Sequence, residues 1–116
     1  MRAGALFFAI LLAACVRAPS MSVAQAEAVQ TAAERLLTST AGTPMTSGPL
    51  PPAIDALEPK SVRIAPEGVY VETSSWFVGE VGIFVPRDPA SFTLVSGSDP
   101  EYHRIHGNVF SYRIRG

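Results

Sequence analysis

The chain of 116 residues holds a single cysteine, Cys15. No second thiol exists to close a disulfide, so any domain formed from this sequence must be held together by packing. Charge is sparse as well: 16% of residues are Asp, Glu, Lys or Arg, and the formal net charge is −1. A nucleic-acid partner calls for a basic stripe, and this balance gives no reason to expect one. Catalytic signatures are also missing. Ser74-Ser75 lacks the flanking glycines of a nucleophile elbow. There is no Gly-x-Gly-x-x-Gly and no phosphate loop. Carboxylates are scattered singly, so no acid and base pair can be assigned. A small domain without pocket-building insertions argues against an enzyme. Finally, the apolar run over residues 3–14 ends at Arg17 and Pro19, well short of the about 20 residues that a membrane-spanning helix needs.

What is present starts with that run. Arg2 supplies a positive start, residues 3–12 an apolar stretch, and Ala13 and Ala14 small residues at a cut, which is the layout of an export signal. The tetrapeptide Leu12-Ala13-Ala14-Cys15 resembles a bacterial lipoprotein signal. That resemblance implies cleavage before Cys15, a diacylglycerol on its thiol, and a further fatty acyl chain such as palmitate on the new amino terminus. With roughly 0.8 kcal/mol per buried methylene, three chains make a permanent anchor. Val16 stands where an aspartate would signal inner-membrane retention, so the resemblance favours the periplasmic face of the outer membrane. A chain beginning at Cys15 keeps 8 basic residues against 10 acidic ones once Arg2 is removed. An ordinary signal cut after Ala26, following Ala24-Gln25-Ala26, would lie far beyond the apolar run and sever a helix.

That helix is expected over residues 23–37. Ser22 and Gln25 have capping-box spacing, and Ala24, Ala26, Ala28, Ala32, Ala33, Leu36 and Leu37 are strong helix formers. Val29, Ala33, Leu36 and Leu37 share one narrow face, and Glu27, Gln30, Glu34 and Arg35 take the polar positions. Residues 39–58 read as a linker rich in Ser, Thr, Gly and Pro, with one helical turn possible after Pro51-Pro52. From residue 59 the period switches to two. Val62 and Ile64 lead through Ala65-Pro66-Glu67-Gly68 into Val69 and Val71, a hairpin with a turn mechanism. Trp76-Phe77-Val78 and Ile83-Phe84-Val85 read as a second strand pair joined by residues 79–82. Residues 92–95 form a weaker strand, and residues 102–105 and 109–114 flank the turn His106-Gly107-Asn108. The expected fold is therefore α+β, with an N-terminal helix and a small antiparallel sheet of five to seven short strands over residues 59–116.

His103 and His106 are the obvious metal candidates, but a spacing of three sends them to opposite faces of a strand, and no metal or cofactor is assigned. Binding is better supported. Tyr70, Trp76, Phe77, Phe84, Phe110 and Tyr112 exceed what one face of so small a sheet buries, and adjacent Trp76 and Phe77 point opposite ways on a regular strand. Outward aromatics near arginines such as Arg104, Arg113 and Arg115 suit a protein contact, with Trp76 and Arg113 as its candidate residues, and the competing reading, which weighs slightly more, is that helix and sheet bury these rings from both sides. Ser96-Gly97-Ser98-Asp99-Pro100-Glu101-Tyr102 resembles the serine-glycine-x-x-tyrosine loop of small envelope-anchored lipoprotein inhibitors of lysozyme. The match covers seven residues. Those proteins carry a disulfide that this chain cannot form, and Tyr112-Arg113 is only a loose counterpart of their aromatic-lysine pattern. The resemblance implies Ser98 and Tyr102 as contact residues for a wall-degrading enzyme. The leading expectation is a lipid-anchored structural or protein-interaction module with an envelope protein as partner. An inhibitor is the alternative.

Overall fold

The computed structural model describes residues 20–39 and 49–116. Cys15 and the expected signal, together with residues 40–48 of the expected linker, lie outside the described residues. Helix α1 spans Val23–Ser39. Both halves of its capping box are formed: the Gln25 amide donates to Ser22 Oγ at 3.2 Å, and the Ser22 amide donates to Gln25 Oε1 at 3.1 Å. The buried stripe is Ala26, Val29, Ala32, Ala33, Leu36 and Leu37, the i, i+3, i+7 spacing of one helix face. Its alanines keep the helix axis close to whatever lies beneath.

Residues after Leu50 are not a tether. Pro52 starts helix α2, Pro52–Asp55, at a position where the missing amide costs nothing. Ile54 is completely buried against α1, with Leu50, Ala53 and Leu57 around it. One large aliphatic residue was enough to draw the end of the expected linker into the core.

Five strands follow: β1 Ser61–Ile64, β2 Gly68–Trp76, β3 Gly79–Pro86, β4 Glu101–His106 and β5 Val109–Ile114. They form one antiparallel sheet in the order β1-β2-β3-β5-β4. The fold is α+β, as the sequence indicates. Alternation sorts the side chains into two faces. Val62, Ile64, Val69, Val71, Ile83, Val85 and Val109 point to α1, while Tyr70, Phe84, Phe110 and Tyr112 are buried on the opposite face.

The second face is covered by the β3–β4 connection. Residues 92–95 are not a strand. Instead Phe92 turns inward, its ring centroid 4.9 to 5.3 Å from those of Phe84, Tyr102 and Phe110. Such ring pairs contribute about 0.5–1.5 kcal/mol each beyond simple burial. Arg87 pins the start of this connection by donating to the carbonyls of Ala65 and Pro66 at 3.0 and 3.1 Å. Gly82 lets Tyr112 lie across β3: a Cβ there would sit 2.0 Å from the Val71 carbonyl and 2.9 Å from the Tyr112 ring. A sheet sandwiched between a helix and a crossing loop thus buries aromatics that one face could not hold.

Candidate interaction tip and the free sheet edge

The expected connection at residues 79–82 lies elsewhere. Strand β3 begins at Gly79, which pairs with Trp76, so the whole turn consists of Phe77 and Val78. Alternation of Val81 and Ile83 on one side carries the strand back to Gly79 and leaves only two residues to reverse the chain. Phe77 has φ 40°, a region that Gly or Asn enters freely and a bulky residue enters at a cost. Its side chain is fully exposed at 107%, with Val78 at 74% and Trp76 at 36%.

Trp76 shapes this tip more than it decorates it. The indole lies over Gly79, where an added Cβ would come within 2.4 Å of the ring. Across β3, on strand β5, the Arg113 guanidinium sits 5.8 Å from the ring centroid, within cation–π range. Trp76 and Arg113, singled out separately in the sequence, are thus side by side. They hold up a turn whose outermost residues, Phe77 and Val78, carry the exposed apolar surface.

The other two candidates go elsewhere. Ser98 Oγ donates to the carbonyls of Val95 and Pro100, bonds internal to its own loop. Tyr102 is half-buried against Phe84 and Phe92, its hydroxyl 2.7 Å from that of Tyr70. Four residues separate Gly97 from Tyr102, two more than the inhibitor loop has.

Around Tyr102 runs a chain of polar contacts on the aromatic face. The Tyr70 hydroxyl donates to Glu67 at 3.1 Å and the Tyr112 hydroxyl to Glu80 at 2.6 Å, while Arg63 spans Glu80 at 3.7 Å and the Tyr70 ring at 4.7 Å. Burial pushes all three phenols above their ordinary pKa. The Tyr102 hydrogen bond adds to the effect at Tyr70, and the Glu80 hydrogen bond adds to it at Tyr112. These groups stay protonated and neutral, which suits packing and not proton transfer.

Beside the tip, Glu101 meets two side chains: Arg115 Nη2 donates to it at 2.7 Å and His103 Nε2 lies 3.0 Å away. With Ser111, Tyr112 and Arg113 these residues line an open cleft of about 230 Å³. A second cleft of about 270 Å³ lies along the same strand, lined by Leu94, Val95, Ser96, Glu101, Tyr102 and His103. His106 is 3.8 Å from Glu27 on α1, so the two histidines attend different carboxylates. Among the described residues no group of three or more His, Cys, Asp or Glu is arranged to hold a metal ion, and no helix is long and apolar enough to cross a membrane. No protein-family model, curated protein or solved structure matches the chain.

Proposed function

We propose that this chain is a small bacterial envelope lipoprotein, anchored through Cys15 at the periplasmic face of the outer membrane, that works as a non-catalytic protein-interaction module. The observation that carries the reading is Phe77: fully exposed, apolar, and in a backbone region that disfavours it. Backbone strain of about 1–3 kcal/mol is held in place by the surrounding structure and clusters at functional sites, and exposed aromatics are the residues that anchor protein interfaces.

Geometry supports the tethered arrangement. The first half of α1 is fixed to the β4–β5 turn, where the Asn108 amide donates to Gln30 Oε1 at 3.1 Å. The Phe77 tip is at the other end of β3, a strand of eight residues and so roughly 26 Å away along the sheet. A chain held from its amino terminus would present the tip away from the anchor, toward a partner and not toward its own membrane.

The test is a photoreactive residue at position 77 in intact cells, with one at the exposed helix position Glu34 as control. The reading expects a discrete protein adduct at 77 and none at 34, lost when Cys15→Ser removes the anchor. Adducts to lipid alone would sink it. The second reading, an inhibitor of a periplasmic wall-degrading enzyme acting through residues 96–102, draws support from the exposure of Leu94 and Val95 beside that loop. It expects Tyr102→Ala to restore lysozyme activity in an inhibition assay.

A further inference from the structure

The connection from β3 to β4, residues 87–100, is fastened at its ends and loose in its middle. At its start the Arg87 guanidinium donates to the carbonyls of Ala65 and Pro66. At its finish Ser98 Oγ donates to the carbonyls of Val95 and Pro100, and the Arg115 amide donates to Asp99 Oδ1 at 2.9 Å. Between these ends residues 93–97 are exposed, and among the described residues no backbone–backbone hydrogen bond holds them. Of the strap's side chains, only Phe92 packs on the buried aromatic cluster. A segment with so few buried apolar contacts opens at a lower free energy than the whole domain.

Two clefts flank the Phe92 ring. One, of about 180 Å³, is lined by Phe92 itself with Glu67, Arg87, Asp88 and Ser91. The other is the cleft of about 270 Å³ that Tyr102 lines with Leu94 and Val95. Phe92 stands edge-on to Tyr102 with centroids 5.1 Å apart, so this ring pair divides them. Swung outward, Phe92 leaves a slot across the aromatic face, walled by Phe84, Tyr102 and Phe110. Charged groups beside the slot already have partners within the chain: Glu67 accepts from Tyr70, Asp88 accepts from Ser91, and Arg87 is spent on carbonyls. An uncharged ligand therefore suits it better than an ion.

We propose that the strap opens at Phe92 and that the slot beneath it binds a small uncharged molecule bearing an aryl group, which takes the place of the Phe92 ring. The chain's own phenyl ring is the guide to the ligand, because its tilted and edge-on contacts are ones that another benzene ring can repeat. Such a pocket is a minor conformation that its ligand makes dominant. This site is separate from the Phe77 tip and does not depend on it.

The probe is benzyl alcohol, with cyclohexylmethanol as control, titrated against the full chain in detergent with the free probe concentration set by dialysis. Binding is followed through the ring proton resonances of Phe84, Phe110 and Tyr102, with Phe77 as the reference ring. The proposal expects saturable shifts at the first three rings and none at Phe77, with benzyl alcohol binding about tenfold tighter than the control. Ser98→Ala frees the far end of the strap without touching the slot, and should tighten binding about fivefold by raising the open population. Phe92→Ala, which has no ring to displace, should bind tighter still. An unchanged urea midpoint shows that each variant is folded, and Ser98→Ala decides the matter where Phe92→Ala fails to fold. Equal affinity for the two probes, shifts confined to Phe77, or unchanged affinity in Ser98→Ala overturns the proposal. So does binding by Phe92→Ala with none by the parent chain, which would make the ring a fixed part of the core.

Discussion

Two of the tight turns of this sheet have the same length and opposite logic. At Gly107-Asn108 the chain uses a glycine at φ 57°, the turn is fastened by Gln30 from the helix, and Arg104 donates to the Gly107 carbonyl. Every residue there serves the fold. At Phe77-Val78 a phenylalanine occupies the left-handed region and no part of the core covers it. The difference teaches where folding has selected the residues and where it has tolerated them. A strained apolar turn on a well-packed hairpin points to selection by a partner.

Both turns hang on the same core, so the largest effect removes that common support. Phe84→Ala, at the centre of the aromatic face, should cost about 3–5 kcal/mol and abolish the urea transition. A loss below 1 kcal/mol would mean that the loop carrying Phe92 does not seal the face.

Next comes pH. Tyr70 and Tyr112 have raised pKa values when folded, so above the unfolded value of about 10 the unfolded chain loses protons that the folded chain keeps. Fewer protons are bound in the unfolded state, the slope of stability against pH is negative, and stability is lost as pH rises. Each buried tyrosine should contribute about 1.4 kcal/mol per pH unit there. Urea midpoints should be flat from pH 7 to 9 and fall steeply above 10, with the phenolate signal appearing together with unfolding. Phenolate forming in the folded protein near pH 10 would contradict the burial of these hydroxyls.

The turns themselves should then diverge. Gly107→Val places a branched side chain at positive φ and 2.9 Å from Gln30 Oε1, and should cost about 2 kcal/mol in urea unfolding. Phe77→Asn should do the reverse, raising stability by about 1 kcal/mol, because asparagine tolerates the region that phenylalanine strains.

How much of this was legible depends on whether local chemistry or tertiary cover decided the element. The capping box at Ser22 and Gln25, the Pro66-Glu67 turn and the Gly107-Asn108 turn carry their own chemistry, and their helix and hairpins follow from it. The Phe77-Val78 turn carries none: its residues look like strand, and only the pairing of Gly79 with Trp76 shows where the chain reverses. Phe92 looks like strand for the same reason, yet its place is fixed by an uncovered aromatic face that no local pattern records. Ile54 was hidden among prolines. At the candidate site, Trp76 and Arg113 stood out as types but not as neighbours, because the strand order β2-β3-β5 is what brings them together. Ser98 and Tyr102 were singled out by a resemblance, and the structure gives both of them internal partners.

The central claim is that the tip is shaped for a partner at some expense to the fold. Its most direct test is urea unfolding of Phe77→Asn beside photocrosslinking through a probe at Val78 in the same variant. The account predicts a higher unfolding midpoint together with loss of the partner adduct. A lower midpoint, or an adduct as strong as that of the parent, would contradict it.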